Sequence, residues 1–132
     1  MVNAGGDVRS RHPGAVIRLL DPWEHCVATV PLGAAGLATS SRTRRRWHAA
    51  GEDAHHLIDP RTGAPADSPI FSATAMAPTA VEAEAGAKAV LIEGRAGLAW
   101  ADTRTWLSGA LAIWADGAVY ATTGLKLEER IA

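Results

Sequence analysis

Nine consecutive residues, His55-His56-Leu57-Ile58-Asp59-Pro60-Arg61-Thr62-Gly63, gather two imidazoles, a carboxylate, a guanidinium and a hydroxyl around a short apolar pair. Histidine titrates near neutrality, which suits it to take a proton from a hydroxyl at physiological pH. Leu57-Ile58 predicts a buried strand. Asp59-Pro60 stops it, because proline fixes φ and has no N–H to donate. Arg61-Thr62-Gly63 reads as a turn, with Gly63 free to take a positive φ. A strand that runs into such a turn holds polar groups at the lip of the fold, where a rigid scaffold positions functional loops. The same residues also describe an ordinary turn in which Asp59 accepts backbone N–H bonds. If 55 and 56 lie in a strand, their side chains point to opposite faces. His55 then does not share the role of His56 and is a packing or solvated residue.

The elements that must position this stretch read as follows. Residues 15–20 and 27–30 are strands rich in branched side chains, closed by Asp21-Pro22 and by Pro31. Residues 37–39 form a third. Trp47 begins a strand that continues, after the Gly51-Glu52-Asp53 turn, into 55–58. Residues 71–77 form another, ending at Pro78. Thr79 opens the clearest helix, over 80–93, with Glu82 completing a capping box and Gly94 as its stop. Ala83, Ala87, Val90 and Leu91 make its apolar stripe, while Gly86 costs about 1 kcal/mol in mid-helix. Residues 98–102 are a short helix. Asp116-Gly117 joins strands 110–115 and 118–121 as a hairpin. The tail 125–131 is amphipathic and reads as helical. The sum is one domain of α+β class, a mostly antiparallel sheet with helices packed on one face.

A chain of 132 residues suits one domain, and 48% hydrophobic content with 20% charge supplies a real core. The net charge of −1 gives no global attraction to nucleic acid or an anionic membrane. Cys26 is the only cysteine, so no internal disulfide forms. No apolar run reaches the about 20 residues of a membrane span. The first residues lack the basic and apolar regions of a signal peptide, so a cytoplasmic location is expected.

The nine-residue segment resembles the H-x-I-D-P-R-T-G signature of the ApbE-type FAD:protein FMN transferases. Three further stretches carry the likeness: Asn3-Ala4-Gly5-Gly6-Asp7 resembles an N-A-G-G-D turn, Ala38-Thr39-Ser40 an A-T-S segment, and Thr74 to Ala80 a T-V-x-A-P-T-A run into a helix. The motifs occur in the family's order. The resemblance implies a C-terminal part of the ApbE-type fold, since almost nothing precedes the Gly5-Gly6 turn and the family has a further N-terminal half. A partner segment or a second copy would then complete the flavin pocket.

The resemblance also implies an activity: transfer of FMN from FAD to a threonine or serine hydroxyl of an acceptor flavoprotein, with release of AMP. His56 takes the position of the catalytic histidine, and Leu57 and Ile58 that of flavin contacts. The family's helix reads A-D-A-x-x-T, its Asp and Thr binding Mg²⁺. Here Glu84 stands at the metal carboxylate and Lys88 at the threonine. An ammonium has only donors and repels a cation, so Mg²⁺ dependence is in question. Glu84 and Lys88 are either an i,i+4 pair on a solvated helix face, or Lys88 meets the cofactor's diphosphate where the metal would sit. The alternative to an enzyme is a non-catalytic flavin-binding or folding module.

Remaining groups are read more plainly. Thr39, Ser40 and Ser41 either donate to a ligand or bond local backbone. Arg42, Arg44, Arg45 and Arg46 with Trp47 invite a nucleic-acid reading, but no nucleic-acid motif accompanies them. They read as a solvated edge, with contact to the FAD diphosphate or the acceptor as a further option. His12, His25 and His48 lack zinc-like spacing and are expected at the surface.

Overall fold

The computed structural model describes residues 1–130. In chain order its elements are β1 (Val2–Ala4), β2 (Asp7–Arg9), β3 (Val16–Leu20), β4 (Cys26–Pro31), β5 (Gly36–Ser41), β6 (Arg46–Ala49), β7 (Glu52–His55), β8 (Ile58–Asp59), β9 (Ala64–Pro65) and β10 (Ile70–Ala77). Helix α1 (Ala80–Glu93) follows, then a 3-10 turn at Gly94–Ala96, α2 (Gly97–Asp102), β11 (Gly109–Trp114), β12 (Val119–Ala121) and β13 (Glu129–Arg130).

A six-stranded antiparallel sheet in the order β1-β2-β5-β10-β11-β12 is the backbone of the fold. Alternation along its central strands sorts the side chains. Ala73, Ala75 and Ala77 of β10 and Ala38 of β5 face the helices, packing with Ala83, Ala87, Val90 and Leu91. Leu37 and Met76 face the other way, onto Leu19, Ala28 and Val30 of a second sheet, ordered β13-β4-β3. The α+β class and antiparallel sheet agree with the expectation. The second sheet, covering the face opposite the helices, was not legible as a layer, because isolated strand patterns do not say which strands pair.

The helix sits close because both surfaces are built from small residues. Gly36 lies under the start of α1, where a Cβ would strike the Thr79–Ala80 backbone. A Cβ on Gly86 would meet Leu107 Cδ2 at 2.6 Å and Ala75 Cβ at 3.2 Å. The capping box is formed: Glu82 N–H donates to Thr79 Oγ1 at 3.2 Å and Thr79 N–H to Glu82 Oε2 at 3.1 Å. Burial of Val90, Leu91 and Ile70 supplies about 1.5–3 kcal/mol each.

Three expectations need correction. Residues 46–55 form a hairpin of their own, β6 on β7, and the strand ends at His55; β8 is a separate short strand paired with β9. Of the pair Leu57-Ile58 only Leu57 is buried, since the chain bends between β7 and β8, and Ile58 is 44% exposed. The tail is not helical: Glu128 N–H bonds to Thr29 O at 3.0 Å and β13 pairs with β4. Ile131 lies outside the described residues. The Gly5-Gly6 turn does follow a strand, β1. No helix among the described residues is long and apolar enough to cross a membrane.

Candidate functional site

The Asp-Pro-Arg-Thr-Gly segment folds as a turn clasped by its own charges. Arg61 N–H donates to Asp59 Oδ1 at 2.9 Å, and Gly63 N–H to Asp59 O at 2.8 Å. The Arg61 side chain then wraps the same carboxylate, with Nη2 on Oδ2 at 2.8 Å. Those bonds hold the Asp59 carboxyl below its ordinary value of 3.8. Arg61 also reaches α1, with Nη1 3.4 Å from Glu93 Oε1 and Nη2 3.3 Å from Ile92 O. Asp59 and Arg61 therefore tie the segment after His56 to the end of α1.

The two histidines have opposite surroundings. His55 is buried; Leu57 N–H donates to its Nδ1 at 3.3 Å, so Nε2 carries the proton and donates to Ala66 O at 3.1 Å. Both ring nitrogens are used, and the packing reading holds. His56 lies just beyond β7. Its Nδ1 is buried and has no hydrogen-bond partner among the described residues. Burial, then the Arg45 charge and, least, that of Lys88, hold the ring below the ordinary histidine value of 6.5, against a backbone hydrogen bond with Arg45 that raises it. The imidazole is therefore held neutral and is available to take a proton, with burial and the neighbouring cations working against the imidazolium.

Lys88 pairs with Glu84 one turn back along α1, and each side chain is 44% exposed. Asp7, at the head of β2, belongs to the same group of charges. Burial and the Glu84 charge push its carboxyl above 3.8, with Lys88 opposing. Asp7, Glu84, Lys88 and His56 are thus electrically linked across β2, α1 and the end of β7. Asp7 escaped the sequence reading as a site residue, although the Asn3–Asp7 turn was its signal.

Other named residues stand apart from this group. Leu57 is buried, and its main chain is engaged at both ends, by His55 and by Ala66 N–H at 2.9 Å. Thr39 Oγ1 lies 2.8 Å from Thr74 Oγ1, and Ser41 Oγ 2.7 Å from Thr43 Oγ1. Both line a cavity of about 310 Å³ beside β3, together with Arg18 and Arg44. Ser40 is buried in the strand between them. His25 and His48 are exposed and face Asp21 and Asp53 at 3.1 and 3.0 Å; exposed His12 accepts from Gly14 N–H at 3.1 Å. Arg44, Arg45 and Arg46 are exposed as expected, but Arg42 is not a solvated edge residue: it is half-buried over the Phe71 ring.

A magnesium ion does not fit the residues present. Mg²⁺ is usually held by one or two carboxylates with waters and substrate phosphates, and a neighbouring ammonium repels it. Here the carboxylate of Glu84 is already neutralised by the Lys88 ammonium. Among the described residues no three His, Cys, Asp or Glu side chains converge as a cage.

Residues 1–110 match the model of the ApbE family. The FAD:protein FMN transferase of Escherichia coli K12 is 30% identical over 102 residues, an alignment covering 71% of this chain and 29% of that protein. The enzyme of the same name from Salmonella typhimurium is 30% identical over 105 residues, again 29% of its length. The chain thus spans less than a third of the curated relatives it matches. Among solved structures, the ApbE protein of Thermotoga maritima superposes with a TM-score of 0.77 at 29% identity, covering 92% of this chain and 41% of that one. The flavin transferase ApbE of Vibrio cholerae gives 0.71 at 23% identity over 92% of this chain and 41% of its own, a likeness of fold.

Proposed function

The chain belongs to the ApbE family, and from that premise we propose that it serves FAD:protein FMN transfer. In this reaction the acceptor's threonine or serine oxygen attacks the flavin-side phosphorus of the FAD diphosphate. A new P–O bond forms, the P–O bond to the adenylate breaks, AMP leaves, and the hydroxyl proton goes to the His56 imidazole.

The observation that supports the reading is the His56 ring, half-buried, held neutral by burial and nearby positive charge, and within electrostatic reach of Lys88. General-base assistance of this kind contributes about 10²–10⁴-fold. Lys88 meets the negative charge of the diphosphate, which is where such reactions need fixed positive charge. Glu84 orients the ammonium through its ion pair, which sets a cation against Mg²⁺ at that carboxylate. Ile58, open to solvent one residue beyond the buried Leu57, offers an apolar surface to the flavin, and Leu57 anchors that segment.

A second reading, flavin binding without transfer, draws support from Lys88 itself: a cation that neutralises Glu84 permanently can hold a diphosphate without activating it. One experiment separates the two. The chain is mixed with FAD and an acceptor protein, with Mg²⁺ or with chelator, and the acceptor is weighed by mass spectrometry. A gain of one FMN supports transfer. Thermal stabilisation by FAD without a mass gain supports the binding module, and the absence of both effects refutes both readings.

A further inference from the structure

The other side of β7 opens on a different place. His55 lines a cavity of about 450 Å³, a size in the range of small-molecule sites, whose walls include Arg42, Arg46, Asp53, Asp67 and Phe71. His56, one residue on, belongs to the Lys88 group instead, so the two regions share a strand and no side chain.

Arg42 is the unusual member. Its backbone N–H bonds to Phe71 O at 3.0 Å, and its guanidinium carbon lies 5.1 Å from the Phe71 ring centroid. A guanidinium with one face covered by a ring can satisfy its N–H groups only in its own plane, through its edge. Its Nε is buried and has no acceptor among the described residues, and Arg42 forms no ion pair there. A buried donor left unmet costs about 1–3 kcal/mol, more when charged.

The neighbours do not relieve it. Asp53 is committed to Arg46, at 3.4 Å, and to His48, at 3.0 Å, out in solvent. Asp67 is exposed and acts on Arg42 only at a distance. His55 has both ring nitrogens occupied. Burial and the Arg46 charge together hold the Arg42 guanidinium below its ordinary value, a mark of positive charge that is not fully balanced.

We propose that this cavity is an oxyanion site, in which the Arg42 edge receives a phosphate or carboxylate group with Arg46 as the second cation. The fork geometry of arginine matches two oxygens of either group. The inference does not depend on flavin transfer and concerns residues that the step proposed above does not use.

The test is a titration of the 132-residue chain followed at the Arg42 Nε–H by ¹H–¹⁵N NMR. Inorganic phosphate, pyrophosphate and acetate are each added against chloride at equal ionic strength. Saturable displacement of the Arg42 signal is expected. Saturation by the phosphates identifies a phosphorylated ligand, and saturation by acetate a carboxylate. Arg42→Lys keeps the charge and loses the fork, and should weaken binding about tenfold or more, while Arg44→Gln should leave it unchanged. Failure of all three anions to saturate the native chain would overturn the site. So would equal affinity in a folded Arg42→Lys variant.

Discussion

Arg61 holds Asp59 by both carboxylate oxygens, with Nε at 2.9 and 3.2 Å and Nη2 at 2.8 Å. The same guanidinium touches the last turn of α1, so a contact between residues two apart also fastens the loop to the helix. Arg61→Ala should destabilise the fold at neutral pH. The sign of its pH dependence follows from Asp59, whose folded value lies below 3.8. Its stabilisation is present above the unfolded value and is lost as pH falls through the folded one. Thermal melts across pH 2–7, an interval spanning that titration, should show native and Arg61→Ala chains converging at the acid end. Parallel curves over the whole range would exclude the pair as the cause.

Gly86 sets a helix propensity against a contact. Alanine there gains about 1 kcal/mol of propensity, but its methyl meets the Leu107 side chain and the Ala75 methyl of β10. Overpacking costs about 1–3 kcal/mol. The contact wins by about 1 kcal/mol in Gly86→Ala, and adding Leu107→Ala removes part of the clash. Chemical denaturation of the two variants checks this through a coupling between them; a Gly86→Ala chain more stable than the native one would reverse the ranking.

Local signals were readable in the chain where one residue decides. Thr79 and Glu82 announced the capping box, Asp116-Gly117 the hairpin, and Asp59-Pro60 the end of a strand. What stayed hidden depends on partners far away in sequence. The pairing of β13 with β4 decides the fate of a tail whose own pattern suited a helix. Whether Arg42 is solvated depends on Phe71, 29 residues later, which only the β5–β10 register brings beside it. His56 was legible as a candidate base through the family likeness, whereas the burial of its Nδ1 was not, because it reflects what packs around it. Asp7 joins the site only because β2 lies beside α1.

Lys88 predicts a metal response that runs opposite to a metal enzyme's. In Lys88→Thr the carboxylates of Glu84 and Asp7 lose their shared cation, and a hydroxyl oxygen takes its place. Without divalent ions the loss should be a few tenths of a kcal/mol, the usual size of an i,i+4 pair. With millimolar Mg²⁺ or Mn²⁺ the variant should regain stability, and Mn²⁺ should bind it saturably by electron paramagnetic resonance. The native chain should show neither effect. Saturable Mn²⁺ binding by the native chain, abolished in Glu84→Gln, would restore a metal site and remove the role assigned to Lys88.

His56 makes the sharpest demand, because a base works only when neutral. Burial and the neighbouring cations disfavour the imidazolium, so its titration lies below 6.5. Where transfer is measurable, kcat/KM should climb with pH along a single acid limb whose midpoint lies below 6.5. Removing the Lys88 charge lessens the penalty on the imidazolium, so Lys88→Met should move that limb to higher pH. His56→Gln should cut transfer by about 10²–10⁴-fold and leave FAD binding within a factor of about two. An acid limb that survives unchanged in His56→Gln would assign the proton to another group and leave residue 56 a packing role.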